Sequence, residues 1–298
     1  MPSLKVPVSV SQFVAPHPRL RPYLTTYYFT SIDSPDGEAV SDWLNPEWAS
    51  VRYCYRGETR GNIHPLPMEV VPPVHFSGPT TRAQPFATHM ARVASIGILP
   101  AGWARFIAEP ASNWADRSGE MHELATPVDF DALLAPLRAA ASVADMAALF
   151  DAALLAILDQ KPLVSAAMEA RINTAHVALL DPAISTVAAL ADRLGLTMTQ
   201  LERFSRRMFG FPPKRLLNRQ RFVRTLAVIM RDPAAPWVRA LDANYYDQAH
   251  FNRDFHKIFG MSPEQFRRHP HPVLSAAAAA RIKALGDPLQ ALQRPPGA

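Results

Sequence analysis

Two stretches of the chain carry the same pattern of arginine, phenylalanine, glycine and proline. Leu201-Glu-Arg-Phe-Ser-Arg-Arg-Met-Phe-Gly-Phe-Pro-Pro-Lys-Arg-Leu216 aligns with Phe251-Asn-Arg-Asp-Phe-His-Lys-Ile-Phe-Gly-Met-Ser-Pro-Glu-Gln-Phe266 at an offset of 50 residues. Arg203 then matches Arg253, Phe209-Gly210 matches Phe259-Gly260, and Pro213 matches Pro263. Wound as helices, one face is apolar: Leu201, Met208 and Phe209 in the first, Phe251, Phe255 and Phe259 in the second. The other face carries Thr199, Gln200, Arg203, Arg206 and Arg207, then Gln248, Asn252, Arg253 and His256. Arginine forks match guanine edges and asparagine or glutamine matches adenine, so a helix with one packed face and one such face can read a major groove. One amphipathic helix of this kind is usually just a surface helix. Its repetition at fixed spacing argues against that.

The elements that hold these residues can be read from local signals. Each copy is preceded by a short apolar helix and a turn, Val187-Ala-Ala-Leu-Ala-Asp-Arg-Leu-Gly195 and Trp237-Val-Arg-Ala-Leu-Asp-Ala-Asn244. Helix, tight turn, helix is the helix-turn-helix arrangement, and two copies are too few for a solenoid. Residues from about 164 to 269 are helical throughout, cut at Pro182, Gly195, Gly210, Pro233 and Gly260. Val273 to Leu285 is a further Ala-rich helix, and the end of the chain is expected to fray. Upstream, short β-type runs at 23–30, 50–55, 68–71 and 90–99 alternate with Gly/Pro turns, the texture of a sandwich or barrel. Asp129 to Arg138 and Val143 to Leu158 are Ala/Leu-rich helices that either pack on that barrel or form a dimer seam.

Charge separates the same two halves. The 298 residues carry a formal net charge of +5, but residues 1–164 hold 12 Lys+Arg against 16 Asp+Glu, and residues 165–270 hold 16 against 9. Fourteen of those sixteen bases are arginine, the side chain whose fork suits phosphate and guanine. A basic helical block beside a mildly acidic one fits a nucleic-acid-binding module joined to something else. The single Cys54 excludes an internal disulfide and zinc-finger spacing, and also the several reactive cysteines that a DNA-repair methyl acceptor needs. No apolar run approaches the ~20 residues of a membrane span, and no secretory signal opens the chain, so a cytoplasmic protein is expected.

Residues 166–268 resemble the double helix-turn-helix DNA-binding domain of the AraC/XylS family of bacterial transcription regulators. The stretch Asp247-Gln-Ala-His-Phe-Asn-Arg-Asp-Phe255, followed by Gly260 and Ser262-Pro263, matches the family signature. The resemblance implies two recognition helices on a long connecting helix from Pro213 to Met230, entering successive major grooves. Carried over by position, it implies base contacts from Thr199, Glu202, Arg203 and Arg206 in the first helix. In the second it implies Gln248, Ala249, Asn252 and Arg253. Lys214, Arg215 and Arg219 are expected to touch phosphates, which position the protein without reading sequence. Asp247 is placed to cap its helix, and His250 to pack or hydrogen-bond. Two departures stand out: Asn244 occupies a turn position that is usually Gly, and Ser205 sits where the second copy has Phe255.

The first half shows no phosphate loop, nucleotide fingerprint or Gly-x-Ser-x-Gly motif. His64, His75, His89 and His122 lack metal-ligand spacing, and Cys54 lies in an apolar run. No metal, cofactor or catalytic residue is assigned, and the chain is not read as an enzyme. The segments 76–82 and 96–106 are similar to the β-rich, cupin-like domains attached to many AraC-type regulators. That likeness implies a small effector or self-association, with no ligand residue named.

The expected architecture is therefore a two-domain α+β chain: a β-rich, cupin-like barrel (1–128), a helical segment and linker (129–164), an all-α domain with two helix-turn-helix units (165–270), and a tail (271–298). The expected function is a sequence-specific transcriptional regulator. Its partners would be double-stranded DNA, RNA polymerase, a small-molecule effector and a second copy in a homodimer, with no membrane. The rivals are an architectural DNA binder without an effector and a β-barrel enzyme fused to a DNA-binding module. Steep salt dependence with little base discrimination would mark the architectural binder.

Overall fold

The computed structural model describes residues 8–34, 37–232, 238, 241–243, 245 and 247–296. The short helix and turn expected over 237–244, Asn244 included, lie largely outside the described residues. Among them, ten strands form the first region: β1 (Val8–Val14), β2 (Leu24–Asp33), β3 (Val40–Leu44), β4 (Ala49–Gly57), β5 (Arg60–Gly61), β6 (Glu69–Val70), β7 (Val74–Ser77), β8 (Gln84–Thr88), β9 (Met90–Ile98) and β10 (Ser118–Glu120). They make two antiparallel sheets, ordered β1-β2-β9-β4-β7-β10 and β3-β8-β5-β6.

The period of two in a strand divides the larger sheet cleanly. Tyr27 and Phe29 of β2, Val51 and Tyr53 of β4, and Ala94 and Ile96 of β9 point into a buried apolar core. Their neighbours Tyr28, Thr30, Ile32, Arg52, Cys54, Val93 and Ser95 point the other way, into a cavity. Trp43, Gln84 and Phe86 of the smaller sheet line the cavity from its far side. The β-rich body is thus two sheets facing across a hollow.

The helices are α1 (Pro100–Phe106), α2 (Leu134–Ala139), α3 (Val143–Leu158), α4 (Ala166–Leu180), α5 (Val187–Leu194), α6 (Met198–Phe209), α7 (Pro213–Arg231), α8 (Gln248–Phe259), α9 (Pro263–Arg268) and α10 (Pro272–Leu285). Ser142 caps α3 by accepting the Asp145 N–H, and Met146, Phe150, Leu154 and Ile157 recur on one face. Phe150 packs against Tyr27, Phe29 and Tyr53 with ring centroids 5.1, 6.2 and 5.4 Å away. Of the two places open to these Ala/Leu helices, α3 therefore takes the sheet. Buried Arg105 of α1 satisfies its C-terminal end, donating to the carbonyls of Ile157, Leu158 and Gln160 at 2.7–3.0 Å.

Two further cores hold the helical region. Ala101 and Ala104 of α1 and Trp48 join α4, α5, α6 and the start of α7 in one; α7, α8, α9 and α10 share the other with Ala83. The Ala-rich run forms the helix expected of it, α10, and the segment after it returns to the first region. Helix α10 packs on β1 and β3, and beyond it Gln290 accepts the Trp48 N–H at 2.8 Å while Gln293 donates to the Thr25 carbonyl at 2.7 Å. The small Ala side chains of α10 permit the close approach, and side-chain amides tie the last turn of chain to the sheet.

Candidate nucleic-acid interface

The first helix pair is built from local signals. Thr186 caps α5 through the Ala189 N–H, and α5 ends at Gly195 in a left-handed conformation. Thr197 and Gln200 then form a reciprocal capping box at the start of α6, at 3.3 and 2.9 Å. In the second pair Asp247 caps α8, accepting the His250 N–H at 2.6 Å. Ser262 and Gln265 repeat the capping box at α9.

Both second helices stop at a glycine. Gly210 has φ +85° and Gly260 φ +75°, a region costly for residues with a Cβ. A Cβ at Gly210 would also meet Pro79 at 2.7 Å, and one at Gly260 would meet the His64 ring at 2.6 Å. The repeated Phe-Gly therefore ends each helix where it touches the β-rich region.

The faces divide as the pattern predicts. Leu201, Phe204, Ser205, Met208 and Phe209 of α6 are buried, as are Phe251, Phe255, Ile258 and Phe259 of α8. Phe204 enters the core beside Phe209, ring centroids 5.9 Å apart, which fills the place that Ser205 leaves. Thr199, Arg203, Arg206, Gln248, Ala249, Asn252 and Arg253 are exposed. Glu202 is half-buried and bound to Arg206 Nε at 2.9 Å. Helix α7 joins the two units over 19 residues, a rise of about 28 Å.

Residues 190–269 match the profile of the helix-turn-helix domain family. The transcriptional activator RhaS of Escherichia fergusonii is 30% identical over 102 residues, 34% of this chain and 37% of that protein. RhaS of Shigella boydii is 30% identical over 80 residues, 27% and 29% of the two chains. This segment is an AraC-type helix-turn-helix domain. The chain spans about a third of the length of the curated relatives it matches. A solved structure of ToxT from Vibrio cholerae is also similar, with 8% identity and a TM-score of 0.45 over 88% of this chain and 98% of that one.

Within the AraC-type domain the three expected phosphate residues part company. Lys214 is exposed. Arg215 is held by the β-rich region: it is ion-paired to Asp116, donates to Thr81 Oγ1 at 2.7 Å and lies 4.7 Å over the Phe211 ring. Arg219 is a correction. It is 2% exposed, with its guanidinium 4.1 Å over the Trp48 ring, and burial lowers its pKa to about 9. It is turned inward onto Trp48 rather than outward on the exposed face of α7. On a long basic helix, spacing alone does not tell an inward arginine from an outward one.

Sequence reasoning missed the residues that set α8 on α7. Arg221 lies 4.3 Å over the Tyr245 ring, contacts His250 Nε2 at 3.1 Å and pairs with Asp254 at 3.2 Å. His250 also packs edge-on against Tyr245 at 5.3 Å, so the signature histidine orients the helix. The C-terminal end of α8 is seated on the β-rich region, where the Arg82 side chain donates to the Lys257 carbonyl at 2.9 Å and the Ala83 N–H to Ile258 O at 3.0 Å. Phe209 at the end of α6 packs on Trp48, centroids 5.8 Å apart.

Among the described residues no group of three or more His, Cys, Asp or Glu is placed to hold a metal, and no helix is long and apolar enough to cross a membrane. His75 is half-buried, donates from Nδ1 to Pro72 O at 3.2 Å, and has its pKa lowered to about 3 by burial and by Arg52. Burial pushes the Cys54 thiol up.

Proposed function

We propose that the chain is a sequence-specific, DNA-binding transcriptional regulator whose α6 and α8 enter successive major grooves on one face of the duplex. The observation that carries this reading is the pairing of two capped helices with exposed N-terminal halves. Base edges are read by the N-terminal residues of recognition helices, and here those positions hold Thr199 and Arg203, then Gln248, Ala249, Asn252 and Arg253. Glu202 and Arg206 act as a pair, and Lys214 grips phosphate. The rise of α7, about 28 Å, approaches the ~34 Å turn of B-DNA.

The division proposed for the chain is a sensor or dimerisation domain (1–128), a helical segment (129–164), the DNA-binding domain (165–270) and the segment 271–298 that returns to the sensor. The sensor binds a small effector in its cavity and supports a homodimer. The regulator contacts RNA polymerase, works in the cytoplasm and performs no covalent chemistry.

Selection of fragmented genomic DNA by the purified full-length protein at physiological salt tests this. Enrichment of two short blocks about 10 bp apart is the expected result. Uniform recovery with steep salt dependence would replace the regulator with an architectural binder.

A further inference from the structure

The cavity between the two sheets has a volume of about 220 Å³. Its walls are mostly apolar, with Phe13, Ile32 and Trp43 from the strands and Val273, Leu274 and Ala277 from α10. A dry apolar cavity of about 150 Å³ is enough for a benzene, so this one has room for a single ring or short branched chain with a small polar head.

One side chain in that wall is out of balance. Arg281 of α10 is 4% exposed. Its Nη2 donates to Gln293 Oε1 at 2.7 Å, a neutral acceptor, and its Nε has no partner. The carboxylates near it are engaged elsewhere: Glu47 with Arg52 and Ser50, and Asp287 with Arg231. A buried guanidinium without a carboxylate of its own is costly. Two further buried donors that line the same cavity, Gln84 Nε2 and Ser95 Oγ, also lack partners. Glu47, Arg52 and Arg281 are the charged side chains around Tyr28, and they sum to one positive charge.

We propose that this cavity binds a compact apolar monocarboxylate, its head group on Arg281 and its body between the two sheets. The proposal deepens the effector part of the regulator reading and rests on it. Because α10 comes after α9 through His269–His271, the anion would sit on the helix that leaves the second helix-turn-helix unit. Ligand occupancy would then be felt by the DNA-binding domain through the closing segment of the chain.

Calorimetric titration of the full-length protein with phenylacetate and hexanoate, against the neutral 2-phenylethanol and hexanol, tests the site. The carboxylates should bind about tenfold or more tighter than the matching alcohols. Arg281→Met should bring the acids down to the level of the alcohols, and Ala277→Trp, which fills the hollow, should abolish binding of all four. Equal affinity of acids and alcohols for the native protein, no binding of the acids, or acid binding that survives Ala277→Trp would each overturn the proposal. The native comparison stands even if Arg281→Met fails to fold. A genomic motif recovered without acid preference defeats this inference alone; acid preference without a motif defeats the regulator reading alone.

Discussion

Asp42 caps a helix that begins 230 residues later in the chain: its Oδ2 accepts the Val273 N–H at 2.9 Å and, shared, that of Leu274 at 2.8 Å. Its Oδ1 takes His271 Nδ1 at 2.9 Å, and Asp42 itself is 1% exposed. A strand of the β-rich region thus supplies the anchor of the segment beyond the second helix-turn-helix unit. The cap satisfies N–H groups that a helix start leaves unpaired and puts a carboxylate at the positive end of its dipole.

Asp42→Ala should therefore cost more than a surface cap. Two buried N–H groups and His271 lose their acceptor, at about 3 kcal/mol in all. Urea denaturation of the full-length protein checks the size; a loss under about 0.5 kcal/mol, ordinary for a surface position, would mean that the cap does not hold α10.

Asp116→Asn should release Arg215. The carboxylate that now pairs with Arg215 also accepts from the Thr81 N–H at 2.6 Å, and Asn tolerates the φ of 54° at this position. Arg215 freed for phosphate should steepen the dependence of log K on log salt by about 0.9, as read by fluorescence anisotropy across a salt series. Lys214→Ala should reduce the slope by a similar amount, and Arg219→Met should leave it unchanged.

Acid should unfold the protein through two imidazoles, His176 buried and His75 half-buried. His75 and His176 have folded pKa values of about 3, lowered by burial first and then by Arg52 and Arg219 respectively, against an ordinary 6.5. Between those values the unfolded chain binds more protons, so stability is full above pH 6.5 and falls as the pH drops toward 3. Each histidine accounts for about 2 kcal/mol lost by pH 5. Urea midpoints at pH 7.5 and pH 5 measure the total. His176→Phe, which keeps a ring against Trp48, should remove about half of the difference.

Arg253→Ala should relax base preference at one or two positions of the selected motif, with about 1–3 kcal/mol of discrimination lost there. Binding to other sequences should change far less. Unchanged preference would mean that α8 does not lie in the groove as placed.

The DNA-binding half was legible because its signals are local and repeated. Phe209-Gly210 and Phe259-Gly260 mark two helix ends, and Asp247 reads as a cap from its place at the head of an amphipathic run. In the β-rich half, the runs that became β2, β4 and β9 were legible from their apolar patterning. Strand β3 was not: Asp42 turns inward among apolar residues because its partner is a helix start far along the chain. Pro85 in β8 hid another strand, since proline argues against a position between two paired neighbours. The inward turn of Arg219 and the return of α10 to the first sheet depend on contacts between distant segments, which no local pattern records.

Guanine N7 methylation interference, on a DNA site selected by the full-length protein, tests the two-groove placement most directly. Methyl groups at N7 lie in the major groove. Two clusters of interfering guanines about 10 bp apart, on one face of the duplex, are predicted. The cluster read by α8 should weaken selectively in Arg253→Ala, and the cluster read by α6 in Arg203→Ala. A single cluster, or interference spread evenly along the site, would contradict the claim that both helices read the major groove.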